Sequence, residues 1–253
     1  MIPYRDENET QRAAIVTGAF IGLNVLSWLL VQGAGATYSL AASVCNLGLI
    51  PGELTLSVPP GTRFPMGDGL ACSTDAGRQS WHLITSMFLH GSWMHLIGNM
   101  WFLWLFGNNV EDAMGRGRFI IFYILCGLAA AFGQIVASPS SAIPMVGASG
   151  AISGVMGGYL LLYPKVRVFT ILPLGFFFTT IAVPAWVMLG YWFLLQFISG
   201  LADFGGDKGG VAFWAHIGGF VTGVVLVKFF SRKDYLAAHR AHHYRPRRVL
   251  REW

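Results

Sequence analysis

The stretch IPMVGASGAISGVMGG, Ile143 to Gly158, decides how this chain is read. It sets a serine among small residues at the mouth of a hydrophobic segment. Taken alone, Gly147-Ala148-Ser149-Gly150 is a small-residue surface of the kind that lets helices pack closely in membranes. A chemical role for Ser149 has to come from the rest of the chain.

That chain has 253 residues, 54% of them hydrophobic and only 11% charged, with mean hydropathy +0.55. Soluble domains carry about 25% charged residues, so the composition specifies an integral membrane protein. Apolar runs near the ~20 residues that cross a bilayer are expected as spans at 13–34, 90–110, 118–137, 149–163, 184–201 and 211–230. The expected fold class is all-α and membrane-embedded. Six helices occupy 13–230, a long outer loop joins the first two, and a short fourth helix starts inside the membrane. Residues 1–12 and 231–253 are read as tails. The first run is too long for the apolar region of a secretory signal, and nothing resembles a cleavable one. The apolar segment Val166–Trp186 is not read as a span. Pro173-Leu-Gly interrupts it among β-branched and aromatic residues, which suits a hairpin at the membrane surface. Pro184 then opens the fifth helix, where its missing N–H costs nothing.

The basic residues orient the bundle. Fourteen Lys and Arg fall on one side: Arg5 and Arg12, Arg116 and Arg118, Lys165 and Arg167, and Lys228 with the tail beyond it. Only Arg63, Arg78 and Lys208 fall on the other. The positive-inside rule therefore puts both termini in the cytoplasm, with a bacterial plasma membrane as the expected location. The net charge of +5 resides mostly in the C-terminal tail, which suits anionic headgroups better than nucleic acid. No phosphate loop, zinc-ligand spacing or dinucleotide fingerprint accompanies it, so no metal and no cofactor is expected. Cys126 lies mid-span and reads as core. Cys45 and Cys72 share the long loop and are either a disulfide or two free thiols.

Polar side chains inside spans are costly and are functional candidates by default. His95 and Asn99 fall in the outer half of the second span, Ser149 opens the fourth, and His216 lies roughly 8 Å into the sixth at ~1.5 Å per residue. The fourth span reaches only about 22 Å across a hydrocarbon layer of ~30 Å. The segment Ala137–Gly147 must therefore dip into the membrane, which irregular backbone does only beside protein or a water-filled cavity. These residues thus converge at one level. Gly150, Gly154 and Gly158 repeat every four residues, as do Ala215, Gly219 and Gly223. Such faces let backbones touch and would bring Ser149 within hydrogen-bond reach of His216. A neutral imidazole can activate a serine hydroxyl, and the N–H groups of a helix start favour negative charge. His95 and Asn99 can add donors for an oxyanion. No Asp or Glu is expected in the outer half of any span, so the pair would act as a dyad.

The segments HGSWMHLIGNMWFLWLFGNNVEDAMGRGRF, GASG and AHIGGFVTG, in that order, resemble the signatures of the rhomboid intramembrane serine proteases. The likeness runs from about Trp81 to Lys228. It implies a rhomboid bundle with Ser149 as nucleophile and His216 as general base and acid. It implies His95, Asn99 and the Ser149 amide as oxyanion hole, and Glu111, Gly115 and Phe119 as a structural element after the second span. It also implies membrane-protein substrates cut near the outer end of a transmembrane segment. Two positions depart from the pattern. His82 follows Trp81 where many rhomboids have arginine, and Ser153 stands where some have a tyrosine that stacks on the catalytic imidazole. His90 either lines the water pocket or anchors the loop, the structural role being favoured. Other intramembrane protease classes do not fit. There is no H-E-x-x-H, and Asp207 has no expected partner carboxylate. The soluble-hydrolase elbow fails at Ala151. The remaining alternative is a catalytically silent rhomboid-like scaffold that binds membrane proteins.

Overall fold

The computed structural model describes residues 2–174, 177–204 and 211–243. After strand β1 (Ile2–Asp6), helix α1 (Ile15–Leu26) runs into a π-helical turn at Ser27–Val31. The outer loop is itself structured, with α2 (Thr37–Leu47), α3 (Pro51–Thr55), the hairpin β2 (Arg63–Gly67) and β3 (Leu70–Ser73), and the short α4 (His82–Thr85). The bundle continues with α5 (Trp93–Met114), α6 (Arg116–Ala137) and α7 (Ser149–Leu162). Strands β4 (Arg167–Leu174) and β5 (Phe177–Pro184) then precede α8 (Ala185–Ala202), α9 (Phe213–Phe230) and α10 (Lys233–His243).

Among the described residues, α6, α8 and α9 are long and apolar enough to cross a membrane, and Ile15–Val31 and α7 are shorter apolar helices. The protein is thus mostly helical and membrane-integral. The surface hairpin is present as β4–β5, paired from Arg167 opposite Pro184 to Leu174 opposite Phe177. Its tip at 175–176 lies outside the described residues, as do Asp207 and Lys208.

Both terminal segments carry structure of their own. The N-terminal segment is not free: β1 adds antiparallel to β4, making a three-stranded sheet in the order β1-β4-β5, and the Trp101 indole donates to the Pro3 carbonyl at 2.6 Å. The start of the C-terminal segment is also docked. Helix α10 buries His239, whose Nε2 lies 2.8 Å from Asn8 Oδ1, and Tyr235 lies under both Arg12 and Arg232. The remaining basic residues of the tail, Arg245, Arg247, Arg248 and Arg251, lie outside the described residues.

Helix ends are set by identifiable groups. Glu111 near the end of α5 accepts from the Val16 and Thr17 amides at 3.0 and 2.8 Å and from Thr17 Oγ1 at 2.8 Å. It thereby satisfies donors that the first turn of α1 would leave orphaned. Gly115, at φ +79°, turns the chain between α5 and α6. Phe119 is fully buried beyond it, and Phe20 stacks on Tyr123 at 4.2 Å in the same core. At the other end of the bundle, Cys45 and Cys72 are disulfide-bonded, so the loop's two open readings resolve to the pair. This loop grips the segment before α7. Leu49 and Met145 exchange backbone hydrogen bonds at 3.0 and 2.7 Å, and the Gly52 amide donates to the Ser141 carbonyl at 2.9 Å. Glu53 is buried in the loop and accepts from the Asp75 amide at 2.7 Å. That burial pushes its carboxyl above the ordinary range.

Candidate active site

Ser149 is the first residue of α7, a helix buried from Gly150 to Tyr159. The chain enters it through Gly147 at φ +131°, anchored by a hydrogen bond from the Gly147 amide to the Ser86 carbonyl at 2.9 Å. Glycine is required there twice over. The backbone conformation is one that side chains rarely adopt, and a Cβ would lie 2.8 Å from His95 Nε2 and 3.4 Å from Ser149 Oγ. The space that Gly147 leaves open is the space between those two groups.

His216, on the first turn of α9, reaches across so that its Nε2 stands 2.8 Å from Ser149 Oγ. Close approach of the two helices permits this. A Cβ on Gly219 would collide with the carbonyl of Gly150, and one on Gly223 with the carbonyl of Gly154. The α7 glycines serve two neighbours: Gly150 and Gly154 lay their carbonyls against α9, while their Cβ positions fall mainly on α6. A Cβ on Gly150 would collide with Ala130 of α6, and one on Gly154 with Cys126 of α6. It is Gly157, unnoticed in the sequence, that clears the Phe220 carbonyl of α9. Gly158 meets Phe122 at 3.2 Å and Val227 at 3.5 Å.

The donors expected on α5 face the same cavity, a space of about 620 Å³ lined by Ser149, His216, His95, Asn99, Gln134 and Trp192 among others. Ser92 N-caps α5, its Oγ accepting from the His95 amide at 3.1 Å, which fixes His95 in the first turn. The Gly91 amide donates to His95 Nδ1 at 3.3 Å. That assigns the ring proton to Nε2, the nitrogen facing Gly147. Asn99, one turn further, is buried, and its Nδ2 has no hydrogen-bond partner. His90 is fully buried with its ring 5.1 Å from that of His95. Its backbone is clamped on both sides by Gln32, at 2.7 and 2.8 Å, which makes it an anchor.

The two departures from the family pattern have local explanations. Ser153 Oγ turns back to the Ser149 carbonyl at 2.6 Å, a common habit of serine inside helices. The imidazole finds another aromatic neighbour in Trp192 of α8, with ring centroids 5.8 Å apart. His82 is buried at the start of α4, its ring 4.2 Å from that of Trp81. Among the described residues no cluster of three or more His, Cys, Asp or Glu could hold a metal.

Sequence reading missed Gln196. Its Oε1 lies 2.7 Å from His216 Nδ1. The available signal was a lone amide in the apolar run of α8, since polar side chains in spans are costly.

The comparisons with known proteins agree with this architecture. Residues 77–233 match the Rhomboid domain, and the chain belongs to the rhomboid family. It is 35% identical over 130 residues to the Rhomboid protease GluP of Bacillus subtilis (strain 168), covering 51% of this chain and 24% of that protein. It is 37% identical over 87 residues to the Putative rhomboid protease YdcA of the same organism, covering 34% of this chain and 43% of that protein. With the chloroplastic Rhomboid-like protein 11 of Arabidopsis thaliana it shares 30% identity over 158 residues, 60% of this chain and 54% of that protein. The chain thus spans between about a quarter and about half the length of these relatives.

Proposed function

We propose that this chain is an intramembrane serine endopeptidase that cleaves transmembrane segments of other membrane proteins near the outer face. The observation that carries the reading is the 2.8 Å approach of His216 Nε2 to Ser149 Oγ, in a cavity that also receives His95 and Asn99. The Ser149 oxygen attacks the scissile carbonyl while its proton passes to His216 Nε2. His95 Nε2–H, Asn99 Nδ2–H and the Ser149 amide donate to the resulting oxyanion. Collapse of the intermediate expels the amine, which takes the proton from the imidazolium. Water then repeats the sequence on the acyl-enzyme and frees Ser149. No cofactor enters this scheme.

The membrane placement is part of the proposal. Six spans are carried by α1 with its π turn and by α5 to α9, making the protease domain 13–230. The segments 1–12 and 231–253 lie on the cytoplasmic side of a bacterial plasma membrane. The Lys and Arg distribution supports this orientation, and two of the similar proteins are bacterial.

A fluorophosphonate probe tests the reading on the full chain in detergent or bilayers. Wild type should be labelled and Ser149→Ala should not. Absence of label from wild type would leave the silent scaffold, a rhomboid-like protein that binds membrane clients without cutting them.

A further inference from the structure

A serine activated by a neutral imidazole works only if the nitrogen facing it is bare. Imidazole has two neutral tautomers, and the hydrogen bond made by the remote nitrogen selects between them. In the dyad expected from the sequence nothing makes that bond. In the structure Gln196 Oε1 lies 2.7 Å from His216 Nδ1, on the side of the ring away from Ser149.

The placement of Gln196 is specific. Helix α8 reads AWVMLGYWFLLQFISGLA, with Gln196 its sole amide. Trp192 lies one turn before it and Gly200 one turn after, so the three share a face. Trp192 flanks the His216 ring. Gly200 lets α8 close on α9, with Trp214 Nε1 donating to the Gly200 carbonyl at 3.1 Å and a Cβ at Gly200 meeting Ile217 at 3.3 Å. Each end of this stripe thus holds Gln196 against the imidazole.

We propose that Gln196 is a positioning residue for the Ser149–His216 pair. This rests on the serine-hydrolase reading above. Its amide oxygen accepts the Nδ1–H and so holds the tautomer whose bare Nε2 takes the Ser149 proton. The Nδ1 proton stays on the ring throughout, and the same bond strengthens when attack makes the ring an imidazolium. An amide does this without placing a formal charge in an apolar interior, where an isolated carboxylate is expensive.

The test is the rate of fluorophosphonate labelling of the full chain, resolved into a maximal rate and a half-saturating probe concentration. Gln196→Met keeps the length and removes the acceptor, and Gln196→Leu serves should the methionine variant fail to fold. Either should lower the maximal rate by about 10–100-fold, the size of loss seen when the partner that orients a metal-bound histidine is removed, with the half-saturating concentration unchanged. Gln196→Glu keeps an acceptor oxygen at the same reach and should restore most of the loss. Labelling of the apolar variants at the wild-type rate would overturn the proposal while leaving the hydrolase reading intact. So would an equal loss in Gln196→Glu, which would mark a merely structural role. If wild type itself takes no label at Ser149, the hydrolase reading falls and this proposal falls with it.

Discussion

At the Glu111 end of the bundle the carboxylates are each held by two or more donors, whereas at the Ser149 end a buried amide donor faces a cavity without an acceptor. Glu111 accepts three hydrogen bonds from Val16 and Thr17. Asp112 accepts from the Gln11 amide and from Arg12 at 3.1 Å. Asp6 accepts from Tyr159 and Asn109. Opposite them, Asn99 lines the cavity and its Nδ2 has no partner. A buried polar atom left unpaired costs about 1–3 kcal/mol, so the two ends are not equivalent uses of polarity. One end joins β1, α1, α5, α7 and α10 into a single lock. The other keeps donors aimed at a cavity where charge can develop, which is the arrangement that stabilises an oxyanion.

The sharpest way to break this contrast is at the Ser149 end. Ser149→Ala and His216→Ala should each lower cleavage of a transmembrane substrate by on the order of 10⁴-fold or more, and the double variant should be no worse than either single one. Melting temperatures should stay close to wild type, since neither side chain is a structural anchor. Substantial turnover by either variant would rule out the pair as the reacting unit.

A crossed pair of substitutions compares the ends directly. Asn99→Ala should lower kcat by up to about 10²–10³-fold, the lower end applying if His95 and the Ser149 amide share the load. Its stability should not fall, because the Asn99 amide satisfies no protein group. Glu111→Ala should do the reverse. It strands the Val16 and Thr17 amides at a cost of about 1–3 kcal/mol, a few degrees in Tm for a chain of this size, with kcat per folded molecule unchanged. Equal loss of Tm in the two variants would erase the distinction.

How far the sequence foretold this contrast depends on the length scale of the signal. Helices α5 to α9 were legible because apolar runs and Gly or Pro punctuation are local. That Ser149, His216, His95 and Asn99 line one cavity was legible because polar atoms inside apolar runs are rare. Gln196 carries the same signal and was passed over, since one amide in an eighteen-residue helix names no partner. The docking of β1 on β4, and of His239 against Asn8 across 231 positions, was not legible. Such short polar segments look like solvated tails until the surface that receives them is known. The glycine faces were half legible: spacing marks a small-residue stripe but does not say which of two neighbouring helices it meets.

That ambiguity shapes the next test. Gly219→Val should collide with the Gly150 carbonyl, at a cost of about 1–3 kcal/mol. It should also lower activity by about 10²-fold through displacement of His216 from Ser149. Gly218 is no neutral control, because a Cβ there meets the Ala129 carbonyl of α6 at 3.1 Å. Gly190 on α8 has nothing within 4 Å of its Cβ position, and Gly190→Val should leave both rate and stability near wild type. If Gly219→Val cuts as fast as Gly190→Val, the α7–α9 approach does not set the distance between Ser149 and His216.

The smallest effect probes the Glu111 end from within. Burial raises the Asp6 carboxyl above its ordinary value of 3.8, its hydrogen bonds only partly opposing this. The folded chain therefore holds the Asp6 proton to higher pH than the unfolded chain does. Between 3.8 and the raised folded value the folded state binds more protons, so stability falls as pH rises through that window and the cost is fully present at neutral pH. Asp6→Asn keeps a carbonyl oxygen for Tyr159 and carries no charge to desolvate. At neutral pH it should melt at or slightly above the wild-type temperature. On acidification to about pH 4 wild type should gain on the variant, the whole change staying within about 4 °C. Thermal unfolding of both proteins across that range isolates Asp6, because Glu53 and every other titrating group are common to the two. If wild type instead loses ground to Asp6→Asn as the pH falls, the hydrogen bonds from Tyr159 and Asn109 outweigh burial, and Asp6 belongs with Glu111 as a net anchor of the lock.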